Sequence, residues 1–175
     1  MFIKGENIAL RALDLNDAEL LYQWENDMEL WHLGNTQVPF SKFTLEQYVM
    51  NGGQDIYTAK QLRLMIDFTK QDISIGTIDL FDFDPFNQRA GIGIMIRKEF
   101  RKQGLAGESL DLLIEYCFDT LKLHQLYCNI LEENTESIKL FQSRNFNITG
   151  KKKDWVYKNN QWITEFSLQL INPKH

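Results

Sequence analysis

The sequence predicts one mixed α/β domain over residues 1–175, and three observations carry that expectation. Three strand-like runs follow one another across very short turns. A long amphipathic helix separates the last of these runs from a further buried strand. The chain then closes on a short helix and a hairpin.

Taken in order, residues Ile8 to Leu13 alternate enough for a short strand. Asp14 or Asn16 then caps a helix carrying Leu20, Leu21 and Trp24, and a second helix is expected from about Thr44 to Met50. Between them lies ELWHLGNTQVPFSK, which reads either as a packed loop or as a substrate-binding lid. Strand signals follow at Leu62 to Thr69, Ser74 to Phe83 and Arg89 to Arg97. The turns KQD and DPFNQ are short enough to join antiparallel neighbours, so these strands form a meander.

Helical spacing returns from about Gly104 to Leu121, where Ala106, Leu110, Leu113, Cys117 and Leu121 share a face that Leu112, Ile114 and Phe118 widen. Gln125 to Leu131 reads as a buried strand, and a strand–helix–strand crossover of this kind is normally parallel and right-handed. Asn134 is a good N-cap for a short helix from Thr135 to Arg144, and Asn145 suits the left-handed residue that ends it. Closing strands at about Asn147 to Lys158 and Gln161 to Leu170 are joined by KNNQ, a tight hairpin signal.

Composition removes several functions. A net charge of −5 argues against nucleic-acid partners, which need a basic surface to displace counterions. No uninterrupted apolar run is long enough to cross a bilayer, and the first residues are charged where a signal peptide would be apolar, so a cytoplasmic protein without membrane partners is expected. The two cysteines, Cys117 and Cys128, sit among apolar neighbours and read as buried thiols. His32, His124 and His175 show no ligand spacing, so no metal site is expected. Either a monomer or a homodimer fits.

The segment MIRKEFRKQGLAGESLDLLIEY asks what a basic, glycine-bearing bend does at the mouth of a helix. A helix N-terminus offers unpaired N–H groups and the positive end of a dipole. Gly104 would let the backbone come close, Ala106 would keep the first turn open, and Arg97, Lys98, Arg101 and Lys102 add local positive charge. The bend therefore suits a phosphate, although spacing alone favours an ordinary turn. It is not a nucleoside-triphosphate loop, because no Lys-Ser or Lys-Thr follows the glycine, and Gly91-Ile-Gly93 lies inside a strand without a third glycine.

Arg101-Lys102-Gln103-Gly104-Leu105-Ala106 resembles the Gln/Arg-x-x-Gly-x-Gly/Ala signature of the Gcn5-related N-acetyltransferases, and it lies where that family carries it, after a strand and opening a long helix. LYCNILEENTESIKLFQSRNF resembles the family's next block, and NQRAGIGIMI and YKNNQWITEFSLQL resemble the branch of ribosomal-protein and spermidine acetyltransferases. The resemblance implies a mostly antiparallel sheet with a splayed parallel strand pair and helices on both faces. It implies acetyl-CoA as co-substrate and a primary amine as acceptor, whether a polyamine, another small amine or a protein N-terminal α-amine. Ile94, Met95 and Ile96 would pair with the pantetheine arm. The N–H groups from Lys102 through Gln103, Gly104, Leu105 and Ala106 to Gly107 would hold the pyrophosphate, with Arg101 beside them. Asn134 would hydrogen-bond near the pantetheine or the thiol end, with Phe141 close by.

The proton chemistry departs from the family pattern. Gly91 and Asn129 stand where relatives place a glutamate base, and Phe141 stands at the usual tyrosine acid. Candidate replacements for the base are Asp79, foremost, then Asp82, Asp84, Glu25, Asp27 and Glu29. The last three could instead attract a cationic amine or form a plain helix surface. Trp31, Phe40, Trp155 and Trp162 could wall an acceptor pocket or belong to the core, and Lys151-Lys152-Lys153 is expected to face solvent. A chain that keeps the cofactor pattern and lacks these groups is either an enzyme working largely by positioning or a catalytically silent acyl-CoA-binding module.

Overall fold

In the computed structural model, residues 2–27, 38–51 and 54–174 are described. The elements in chain order are β1 (Phe2–Lys4), β2 (Ile8–Ala12), a 3₁₀ turn (Leu15–Asp17), α1 (Ala18–Glu25), α2 (Lys42–Asn51), α3 (Ile56–Ala59), β3 (Leu62–Phe68), β4 (Ile73–Asp84) and β5 (Arg89–Ile96). A second 3₁₀ turn (Lys98–Phe100) leads to α4 (Leu105–Glu115), whose last turn (Tyr116–Thr120) is π-helical. After it come β6 (Gln125–Leu131), α5 (Thr135–Gln142), β7 (Asn147–Lys158) and β8 (Gln161–Ile171).

All strands among the described residues join one eight-stranded sheet in the order β1-β2-β3-β4-β5-β6-β8-β7. Every pairing is antiparallel except β5 with β6. The expected meander is β3-β4-β5, and the crossover through α4 makes the one parallel pair. Alternation along the strands feeds two cores, as successive side chains must point to opposite faces. Leu64, Ile66 and Phe68 pack with Leu110, Leu113 and Phe141 of α4 and α5. Met65, between them in sequence, packs on the other face with Leu21 and Trp24 of α1 and Leu45 and Val49 of α2.

Local chemistry explains the ends of these elements. Asp14 caps the 3₁₀ turn rather than α1: its carboxylate accepts from the Asn16 N–H, Asp17 reaches back to the Asp14 N–H, and α1 starts only at Ala18. Asn145 takes the left-handed conformation beyond α5, with φ 65°. Asn159 and Asn160 both have positive φ, as the two-residue turn between β7 and β8 demands. Neither the three-residue β1 nor the four-residue α3 is expected from the sequence, since neither is long enough to show a period. The expected helix to Leu121 is α-helical only to Glu115.

Both cysteines are buried and free, and burial pushes the Cys128 thiol up to about 12. The tryptophans divide. Trp24 is core, whereas Trp155 and Trp162 on the last hairpin are 57% and 61% exposed, so the core alternative does not hold for these two. Among the described residues, no helix is long and apolar enough to cross a membrane.

Candidate functional site

β5 and β6 pair only through Arg89–Gln125, Ala90–Leu126 and Gly91–Tyr127. Past that point β5 stays on β4 as far as Ile96, and β6 stays on β8 as far as Leu131. The facing edges of Ile92–Ile96 and of residues 128–131 therefore have no ladder partner, and such groups need hydrogen bonds from elsewhere. A cleft of ≈ 980 Å³ fills the gap, reaching from Ile92 along β5 to the bend and across to the start of α5.

At the bend the backbone turns through left-handed conformations at Lys102 (φ 61°) and Gly104 (φ 80°). The Arg101 Nε donates to the Ile96 carbonyl at 2.9 Å, and the Gln103 Nε2 donates to the Glu99 carbonyl at 2.9 Å. Both side chains are thus folded back onto the chain. The first bond of α4 runs from the Glu108 N–H to the Gly104 carbonyl at 3.1 Å, and no side chain caps the helix. The N–H groups of Leu105, Ala106 and Gly107 precede that bond and have no backbone acceptor among the described residues. An acceptor placed there would meet three donors and the helix dipole together. The helix itself is held by Glu108, which accepts from the Asn7 N–H at 2.7 Å and the Ile8 N–H at 3.1 Å.

Of the residues picked out in the sequence, Ile94, Met95, Ile96, Arg101, Lys102, Gly104, Ala106, Gly107, Asn134 and Phe141 line the cleft. Leu105 is buried in the core and Gln103 points back to Glu99, so each can offer the cleft only its backbone. The Asn134 side-chain oxygen caps α5 by accepting from the Ser137 N–H at 3.2 Å. The residue itself lines the cleft.

The departures from the family pattern have physical surroundings. A Cβ at Gly91 would run into the Phe81 ring, which itself packs edge-on to Tyr127 with ring centroids 5.8 Å apart. Asn129 lines the cleft and accepts from the Ser167 hydroxyl at 3.0 Å. Phe141 is 3% exposed and packs edge-on to Phe146.

Asp79 stands beside the cleft rather than in it. Both of its oxygens accept from Arg63, at 2.6 and 3.2 Å, and Arg63 also donates to Glu25 of α1 at 2.6 Å. Burial pushes the Asp79 carboxyl up from its ordinary range, against the pull of Arg63. Its β5 neighbour is Gly93, whose missing side chain leaves the Asp79 Cβ 4.0 Å from the nearest point a Cβ would occupy. Asp82 accepts from the Tyr127 hydroxyl at 3.1 Å, and burial followed by that carboxylate pushes the phenol up to about 12. Asp84 binds Asn87 and lies 3.3 Å from Arg89. Glu29, Trp31, His32 and most of the proposed lid lie outside the described residues.

Sequence reasoning misses other residues that line the cleft: Glu133, Glu136, Lys139, Arg144, Lys158 and the buried Glu165. Glu165 pairs with Lys152 at 3.0 Å and Glu133 with Lys158 at 2.5 Å. In the basic β7 run Lys151 and Lys153 are exposed and Lys152 is half-buried. The lining holds five cationic side chains (Arg101, Lys102, Lys139, Arg144, Lys158) against three carboxylates, a positive balance in an acidic protein. That sign favours a polyanionic ligand. Among the described residues no cluster of ligating side chains could hold a metal.

The sequence model of the acetyltransferase (GNAT) domain matches residues 7–147. The chain is 29% identical over 171 residues to the uncharacterized N-acetyltransferase p20 of Bacillus licheniformis, covering 97% of this chain and 96% of that one. It shares the fold of a Vibrio cholerae spermidine N-acetyltransferase crystallised with CoA and spermine, at TM-score 0.86 and 20% identity over 95% and 96% of the two chains. It likewise shares the fold of the ribosomal-protein-S5-alanine acetyltransferase of Vibrio fischeri, at TM-score 0.85 and 17% identity over 99% and 97%. With the family's sequence matched across most of its length and its splayed sheet in place, the chain belongs to the GNAT acetyltransferases.

Proposed function

We propose that this protein is an acetyl-CoA-dependent N-acetyltransferase that moves the acetyl group to a primary amine by direct attack on the thioester. One observation carries the reading: an unpaired strand edge from Ile92 to Ile96 leads, within a single cleft, to three acceptor-less N–H groups at the start of α4. An extended pantetheine arm has the amides to complete the first, and a pyrophosphate has the charge to complete the second. The residues assigned to the arm are Ile94, Met95 and Ile96. Those assigned to the pyrophosphate run from Lys102 to Gly107, with Arg101 supporting the bend and Asn134 and Phe141 on the facing wall.

In the reaction the amine nitrogen forms a bond to the thioester carbonyl carbon and the C–S bond breaks, releasing the CoA thiolate. The amine loses one proton and the thiolate takes one up. Asp79 is the carboxylate assigned to the first transfer, since Gly93 puts no side chain between it and the cleft. Holding the reactants in register contributes several kcal/mol in any case, about 7–11 kcal/mol at best. A thiolate is a good enough leaving group to depart without a dedicated acid.

A second reading has its own support. Phe141 carries no hydroxyl and is sealed against Phe146, and the space at Gly91 is filled by Phe81. These features fit a catalytically silent acyl-CoA-binding module. Free-thiol release from acetyl-CoA across a panel of polyamines, other small amines and peptide N-termini separates the two, measured beside thermal stabilisation by acetyl-CoA. The enzyme reading expects turnover on at least one amine and a loss of about 10²-fold or more in Asp79→Asn. Stabilisation without turnover assigns the silent module, and no stabilisation rejects both.

A further inference from the structure

Gly107 adopts ordinary helical backbone angles; Gly104 is the only glycine with positive φ among the described residues. Glycine at position 107 is therefore not required by the backbone. What requires it is space, because a Cβ there would strike the guanidinium of Arg144. Arg144 lies beyond the end of α5, and its side chain crosses to α4. Nε and Nη2 donate to the two Asp111 oxygens at 3.1 and 3.2 Å, and Nη1 donates to the Ser143 hydroxyl at 2.7 Å. The side chain is 26% exposed and lines the cleft.

A surface tie between two helices does not explain this arrangement. Exposed ion pairs of this type contribute little to stability, and Asp111 is 57% exposed. Such a tie could run anywhere along the helices. Here the guanidinium is pressed against the first turn of α4, beside N–H groups that have no acceptor. Arginine has five N–H donors, and the three bonds above leave two of them unused. The Asp111 fork fixes the plane of the group, so the unused donors need no further ordering before they meet an anion.

Resting on the acyl-CoA reading above, we propose that Arg144 is a phosphate ligand for the nucleotide end of acetyl-CoA and that Asp111 is its positioning residue. Lys102, paired with Glu136 at 3.1 Å across the cleft mouth, is 80% exposed and makes no such fixed fork.

The test compares dissociation constants, from ligand-dependent thermal stabilisation, for acetyl-CoA, its 3′-dephospho form and S-acetyl-pantetheine, which has neither the pyrophosphate nor the nucleotide. Arg144→Gln is expected to weaken acetyl-CoA by at least about tenfold and to leave S-acetyl-pantetheine unchanged. Arg144→Lys should recover part of the loss. Asp111→Asn should show a smaller loss of the same kind, visible in the KM for acetyl-CoA. A loss that persists with the dephospho form assigns the pyrophosphate, and a loss confined to acetyl-CoA assigns the 3′-phosphate. Either supports the proposal. Wild-type affinity for acetyl-CoA in Arg144→Gln, or equal losses for acetyl-CoA and S-acetyl-pantetheine, overturns it while leaving the cofactor reading intact. Absence of acetyl-CoA binding to the wild type instead rejects that reading, and this inference with it.

Discussion

Gly104 carries the bend at φ 80°, and a Cβ there would meet no described atom within 4 Å. Space is therefore open, and two other costs decide a substitution: left-handed backbone, about 1–2 kcal/mol for a side chain, and the charge it brings. Gly104→Asn should lower stability modestly while keeping most acetyl-CoA affinity. Gly104→Asp should lose at least about tenfold more affinity than Asn, because it sets a carboxylate beside the proposed pyrophosphate. Equal affinities in a titration of the two variants would place the phosphates elsewhere. Phe141→Tyr poses the complementary question for proton transfer. A buried hydroxyl without a partner costs about 1–3 kcal/mol, so the melting temperature should fall. If thiolate protonation limits turnover, kcat should rise; an unchanged kcat shows that the missing acid is not limiting. At this scale the bend was readable from sequence because its cause is local, in Gly104 and the basic residues around it. Arg144 was not, because its partner Asp111 is 33 residues away. The blocking of Gly91 by Phe81 was hidden for the same reason.

Two ionised carboxylates tie helices to β2 and its approach. Asp17 receives two bonds from Arg11, at 2.7 and 2.8 Å, which join the start of α1 to β2. Burial would raise the Asp17 carboxyl, but the Arg11 bonds and the Asp14 N–H outweigh it and hold it below the ordinary range. Glu108, buried in part but bonded to the Asn7 side chain and to the N–H groups of Asn7 and Ile8, is likewise lowered. A carboxyl depressed in the folded state contributes stability that is present above its unfolded pKa and lost as pH falls through the folded one. The melting temperature should thus hold from about pH 7 to about pH 5 and drop below about pH 4, more shallowly in Asp17→Asn. An unchanged acid slope in that variant would mean other groups drive the loss. Periodic elements such as α4 and the β3-β4-β5 meander were legible because burial imposes a repeat on them. The three residues of β1 and the π-helical turn at Tyr116–Thr120 were not, since one depends on pairing with β2 and the other has no sequence period.

At the scale of the whole molecule, the sheet divides the work. One face packs α1 and α2, the other packs α4 and α5, and the parting of β5 from β6 opens the sheet between them. The parallel pair followed from the crossover helix, whereas the length over which it stays paired is a property of the assembled sheet that a single strand does not encode. In the proposed function acetyl-CoA completes this opening, pairing with the free edge of β5 and capping α4. Amide hydrogen exchange with and without acetyl-CoA tests this pairing. Protection should rise at residues 94–96 and 105–107, with little change at the β7–β8 turn. Stabilisation by acetyl-CoA without added protection at either segment would contradict the claim.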